Sequence, residues 1–212
     1  RLRNVDDKKY NLLDEPWICV MKENGEVKEL SLMDVLLHAH QYRRLAGELP
    51  TQDVAVLRLL LAVLQTVVYR YDTDGNEDEL VETEDAYERW KEIWNEGKLP
   101  EKPIREYLTK WKERFYLYDS DRPFYQVPKA AIGTECKAAK LNGEISESSN
   151  KLRLFSNRAG KEKEFLSNSE AARWLLYLNG YDDTSAKPKE KGLPSPGTGW
   201  LGKLGLIYAD GN

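Results

Sequence analysis

The residues that could do chemistry in this 212-residue chain are two histidines, two cysteines and 36 carboxylates. His38 and His40 stand two positions apart. On a helix that spacing sends them to different faces, whereas a shared metal wants an i, i+4 pair. Cys19 and Cys136 each lack a second cysteine nearby, so neither has zinc-ligand spacing. Asp14-Glu15, Glu77-Asp78-Glu79 and the acids of 82–88 supply carboxylates, but none is paired with a defined base or nucleophile. A solvated acidic face is the plainer reading of such runs. No Gly-x-Ser-x-Gly, phosphate loop or dinucleotide fingerprint occurs. The expectation is a protein without catalysis, metal or cofactor, with a hydrolase hidden among the acids as the distant alternative.

A glycine-rich stretch carries more information: Pro194-Ser195-Pro196-Gly197-Thr198-Gly199-Trp200-Leu201-Gly202-Lys203-Leu204-Gly205. Glycines let backbone approach a ligand without a Cβ in the way. Lys187, Lys189, Lys191 and Lys203 surround it with positive charge, and Trp200 adds a flat apolar surface. That combination suits a nucleic-acid groove, with an ordinary flexible loop as the alternative. Charge along the chain agrees in sign. Residues 1–150 carry 22 basic and 29 acidic groups, and residues 151–212 carry 10 basic and 7 acidic. A polyanion would prefer the second segment.

The elements that must position these groups are legible in outline. Trp17-Ile18-Cys19-Val20-Met21 and 27–30 read as a hairpin around Asn24-Gly25, both residues that tolerate positive φ. Ser31 caps a short helix, with Asp34 three residues on. Thr51 is the expected cap of a long helix over 52–71. Its stripe is Val54, Leu57, Leu60, Leu61, Leu64 and Val68, widened by Ala55, Val56, Leu59, Ala62 and Val63, which predicts a central core helix. Residues 83–96 form a charged amphipathic helix with Tyr87, Trp90 and Trp94 on one side, ended by Gly97. Pro103 opens a further helix. Residues 115–118 and 123–127 look extended, with a turn at 119–122, and 151–155 could be a short strand. A helix capped near Asn168 or Ser169 is stopped by Gly180. Residues 182–199 read as a long loop.

Six Trp and twelve Tyr supply enough buriable area for a folded core. The longest apolar run, 59–64, is far short of the ~20 residues that a membrane span needs. No N-terminal signal segment is expected, and the cysteines read as free thiols of a reducing cytosol. The chain opens on Arg1 and reads as a piece of a longer protein.

Several segments together resemble one family. Tyr10-Asn11-Leu12-Leu13-Asp14-Glu15-Pro16-Trp17-Ile18 is similar to the opening of the CasA family, the large subunit of the type I-E CRISPR surveillance complex Cascade. Arg43-Arg44-Leu45-Ala46-Gly47-Glu48-Leu49-Pro50-Thr51-Gln52-Asp53 resembles the segment before that family's first long helix. Arg122-Pro123-Phe124-Tyr125-Gln126-Val127, 150–157, 170–176 and Pro196-Gly197-Thr198-Gly199-Trp200-Leu201-Gly202 follow in the family's order. The resemblance implies an α+β fold, small antiparallel sheets packed with amphipathic helices, over 1–212 as the N-terminal domain of a larger subunit.

It implies a non-catalytic subunit that recognises the protospacer-adjacent motif of target double-stranded DNA and helps recruit a helicase-nuclease. The implied partners are the other Cascade subunits, the CRISPR guide RNA, the target DNA and the helicase-nuclease, in the cytoplasm and away from membranes. The residues implied in nucleic-acid contact fall in two places. Phe155, Ser156, Asn157, Arg158, Lys161 and Lys163 open a loop over 156–166, and Gly197, Thr198, Gly199, Trp200 and Lys203 form the glycine loop. The alternative is a protein–protein scaffold with no direct DNA contact.

Overall fold

The computed structural model describes residues 9–132, 135–143 and 156–181. Among them the fold is mixed α+β, with six helices and two small antiparallel sheets. The chain divides into two compact units, Arg1–Phe124 and Tyr125–Asn212.

In the first unit, β1 (Lys9–Asn11) pairs with β5 (Tyr116–Tyr118). β2 (Ile18–Met21) is the centre of the other sheet, between β3 (Val27–Leu30) and β4 (Arg44–Leu45). The β2–β3 hairpin has the expected place, with Ile18 opposite Leu30 and Met21 opposite Val27. Its turn differs in detail. Only Gly25 is left-handed, at φ +84°. The Gly25 N–H closes on the Lys22 carbonyl and the Lys22 N–H on the Glu26 carbonyl. That is a type I turn with a glycine bulge, which keeps Asn24 in ordinary φ and frees its side chain to accept the Glu26 N–H at 3.0 Å.

Ser31 caps α1 (Leu32–Leu37) as expected, its hydroxyl accepting the Asp34 N–H. The long helix α2 (Pro50–Arg70) starts earlier than a Thr51 cap predicts. Pro50 holds the first helical φ, and no side chain of residue 49 or 51 caps the end. Instead the Asp53 carboxylate accepts the Gly47 N–H at 2.7 Å, and the Gln52 carbonyl oxygen accepts the Glu48 N–H at 3.1 Å. A Cβ on Gly47 would lie 2.7 Å from both acceptor oxygens, so a side chain there would push the Asp53 and Gln52 side chains out of these bonds.

The buried stripe of α2 is Gln52, Ala55, Val56, Leu59, Leu60, Val63, Leu64, Val67 and Val68. Leu61 and Ala62, expected inside, are exposed, because the helix is covered on one side and meets solvent on the other. By length and mean hydropathy α2 could cross a bilayer. Here its stripe packs on α1 and α4, as a core helix does.

α3 (Thr83–Glu96) and α4 (Glu101–Lys110) complete the unit. α4 begins two residues before Pro103, which is buried within its first turn. α3 carries Tyr87, Trp90 and Trp94 on one side as expected, but that side is not the one the fold covers. Its buried residues are Arg89 and Ile93, while Tyr87, Trp90 and Trp94 face solvent. Arg89 decides the orientation. Its guanidinium donates to the Val68 and Asp78 carbonyls, each at 2.8 Å, and pairs with the Asp78 carboxylate. The 119–122 turn is held by the Asp119 side chain. The expected strand over 123–127 does not form. Tyr125 is left-handed at φ +54°, and Phe124 folds back to stack on Phe115 with ring centroids 5.7 Å apart.

In the second unit, α5 (Ala138–Leu141) packs on α6 (Asn168–Tyr181). The cap of α6 is Ser167, just upstream of the expected Asn168 or Ser169. Gly180 lies inside the helix and is buried. The strand expected at 151–155 and the loop expected at 182–199 lie outside the described residues.

Arg89 generates a stability prediction. Arg89→Met removes the donor to the buried Val68 carbonyl and should destabilise the protein by about 1–3 kcal/mol in urea unfolding. Asp78→Asn keeps the backbone acceptor and alters only a solvent-facing partner, so it should cost less than about 1 kcal/mol. Equal losses in the two variants would show that the carboxylate, and not the helix-to-carbonyl staple, carries the effect.

Candidate nucleic-acid interface

Of the implied contact residues, Ser156, Asn157, Arg158, Lys161 and Lys163 are described, while Phe155, Gly197, Thr198, Gly199, Trp200 and Lys203 lie outside the described residues. The described five sit on a loop built from short-range bonds. The Ser156 hydroxyl accepts the Arg158 N–H at 2.9 Å and donates to the Arg158 carbonyl at 3.0 Å. A single 3₁₀ turn, Gly160–Lys163, follows. The Lys163 carbonyl accepts from the buried Asn142 side chain at 3.2 Å, which ties the loop to the end of α5. A serine turn and a lone 3₁₀ turn leave no apolar periodicity, which is why the sequence shows only a polar stretch here.

Arg158 is turned inward. Its side chain is only 10% exposed, and its guanidinium donates to Glu170 at 2.8 Å. Glu170 in turn accepts the Ser167 N–H at 2.7 Å, and the Ser167 hydroxyl accepts the Glu170 N–H at 3.2 Å. This is a reciprocal capping box at the start of α6, with an arginine added to it. Arg158 therefore positions the loop, while Asn157 and Lys161 lie on its exposed side and Lys163 is half-buried.

One residue was missed at the sequence level. Phe165 is 69% exposed, one position beyond Glu164 and two beyond Lys163. Its signal was an aromatic closing a polar, lysine-bearing run, and only burial shows that it is not core.

Burial by itself would raise the Glu170 pKa. Hydrogen bonds from the Ser167 N–H and hydroxyl, together with Arg158, outweigh it, so the group lies below its ordinary 4.5. The exposed groups of the loop offer hydrogen-bond donors, positive charge and an aromatic face, the chemistry that phosphate and bases take. Among the described residues no group of three or more His, Cys, Asp or Glu is placed to hold a metal. Cys19 and Cys136 are free thiols.

A family model for CRISPR-associated protein Cse1 matches residues 11–212. The chain belongs to the Cse1 family. A CasA/Cse1 protein of Thermus thermophilus is 34% identical to it over 168 residues, which is 79% of this chain and 30% of that protein. The crystal structure of Thermobifida fusca Cse1 matches 92% of this chain and 34% of its own, with 32% identity and a TM-score of 0.67. A chain in a structure of a CRISPR RNA-guided surveillance complex matches 82% of this chain and 35% of its own, with a TM-score of 0.62. At 22% identity, that likeness shows the fold alone. The chain thus spans about a third of the length of the Cse1 proteins it matches. The family resemblance read from short motifs and the α+β class both hold, and the Cse1 match takes in the 156–166 loop and the glycine stretch alike.

The lowered Glu170 value has a pH consequence. A carboxyl whose folded pKa lies below 4.5 contributes stability above that pH and loses it as pH falls through the lowered value. Hydrogen-exchange protection at the Arg158 and Ala171 amides should therefore drop on acidification below pH 4.5, while α6 keeps its circular dichroism. In Glu170→Gln the same amides should be less protected at neutral pH and should lose that pH dependence. Wild-type protection that is flat from pH 7 to below the lowered value would remove the clasp.

Proposed function

We propose that this chain is the motif-reading N-terminal part of the large subunit of an RNA-guided surveillance complex. It binds the protospacer-adjacent motif of target double-stranded DNA without catalysis. The single observation that carries the reading is membership of the Cse1 family across both loops, over 11–212. The charge pattern supports it. Residues 151–212 carry net positive charge in an otherwise acidic chain, which favours phosphate at that end.

In this reading Asn157, Lys161 and Lys163 meet nucleic acid from the first loop, with Phe155 and Ser156 at its entry and Arg158 holding its shape. Gly197, Thr198 and Gly199 bring backbone into a minor groove only ~6 Å wide, flanked by Trp200 and Lys203. The partners are the other subunits of the complex, the guide RNA and, once target is bound, a helicase-nuclease. Guide pairing reads the long target sequence and the protein reads only the short motif. The complex acts in the cytoplasm, where foreign DNA arrives.

The test is a complex rebuilt with full-length subunit and titrated with duplexes bearing correct and incorrect motifs. Gly199→Asp should weaken binding more than Gly199→Ala, because it adds negative charge as well as a side chain near phosphates. Discrimination between the duplexes should shrink, with little change in thermal midpoint. The pair Lys161→Ala and Lys163→Ala should weaken all duplexes alike and lower the salt slope by about 1 for each phosphate no longer neutralised. Phe155→Ala should lose the ~1–3 kcal/mol of one stacked base. If Gly199→Asp leaves affinity and discrimination intact, the loop contacts protein alone and the subunit is a scaffold.

A further inference from the structure

We propose that the aromatic face of α3 is a protein-docking surface, and that its occupant is a basic segment of another polypeptide bearing an apolar anchor. Trp94 is 79% exposed, Tyr87 66% and Trp90 41%. Scattered surface aromatics need no explanation, but these three share one helix face. The two tryptophans also line a groove of about 460 Å³ with Ala39, His40, Ile93 and Leu99. Arg89 fixes this outward face, since rotating α3 to bury the indoles would pull its guanidinium from the Val68 and Asp78 carbonyls. Exposed tryptophans beside a preformed apolar groove are the residues that most often carry binding energy at protein interfaces.

Charge selects the kind of partner. Between positions 72 and 101 the sequence has twelve carboxylates against three cations, Arg89, Lys91 and Lys98. Arg89 is already paired with Asp78. Asp72, Asp85, Glu88 and Glu92 line an acidic groove of about 540 Å³ along the same helix. On α3 Glu88 adjoins Tyr87 and Glu92 lies two positions from both Trp90 and Trp94, so this field, which falls off over ~8 Å at physiological salt, reaches the aromatic face. It repels phosphate and draws Lys or Arg. The rings themselves accept cations, since the Lys91 ammonium sits 5.8 Å from the Tyr87 centroid and indoles bind cations better than phenols. Lys98, at the groove's end, would meet a carbonyl or carboxylate of the occupant.

The inference rests on the chain working inside a multi-protein complex. Full-length subunit with Trp94→p-benzoylphenylalanine is assembled with the purified subunits, guide RNA, target duplex and helicase-nuclease, then irradiated. The cross-linked peptides are sequenced by mass spectrometry. The expected product joins position 94 to a peptide of a different polypeptide with Lys or Arg beside the linked residue. Its yield should fall by about five-fold when Glu88→Lys and Glu92→Lys reverse the local charge. The thermal midpoint should change little, because both carboxylates are exposed and lose only exposed contacts, to Lys91 and to Thr73. Links confined to the subunit's own chain, to a second copy, to an acidic peptide or to nucleic acid would each overturn the proposal, as would no link in a complex that binds its duplex. If the unmodified complex does not bind target, the proposed function fails, and the cross-link among the subunits present still judges the docking face.

Discussion

The backbone of Leu12 is the point at which the first unit is tied together. Its N–H donates to the Phe115 carbonyl at 2.9 Å, and its carbonyl accepts both the Trp17 indole N–H at 2.9 Å and the Leu32 N–H at 3.0 Å. Leu12 and Trp17 are fully buried, so water cannot replace any of these partners. An unmatched peptide group in such a place costs about 1–3 kcal/mol. One residue thereby holds the end of β1 to the segment before β5, the approach to β2 and the start of α1. Asn11 extends the node, donating to the Lys112 carbonyl and accepting the Leu13 N–H. The Tyr10-to-Ile18 stretch, prominent as a motif, is therefore structural in this unit.

The second unit uses the same economy on a smaller scale. Glu170 satisfies the first turn of α6 and receives the Arg158 guanidinium, so a helix cap and a loop anchor share one carboxylate. The shape of the 156–164 turn is set by the same helix end. An arginine that the family resemblance assigns to nucleic-acid contact is thereby turned inward, while Lys161 is left outside.

Charge is unevenly divided along the chain. The described residues of 135–143 and 156–181 carry six cations and four carboxylates, whereas 72–101 carry three and twelve. Such fields favour polyanions at the first of these stretches and disfavour them at the second.

The sequence alone determined what depends on local rules. Asn24-Gly25 placed the hairpin, Ser31 its following helix, the apolar density of 52–71 the central helix, and six ordered motifs the family. Tertiary structure decided what depends on competition between faces. Both sides of α3 carried plausible core residues, and the buried Arg89 won because the Val68 and Asp78 carbonyls could satisfy it only from inside. The same competition turned Arg158 towards Glu170 and left Phe165 in solvent. At 123–127 the stack of Phe124 on Phe115 overrode an extended pattern. Periodicity tells which residues share a face, but which face is covered is set by partners distant in the chain, and no local spacing encodes them.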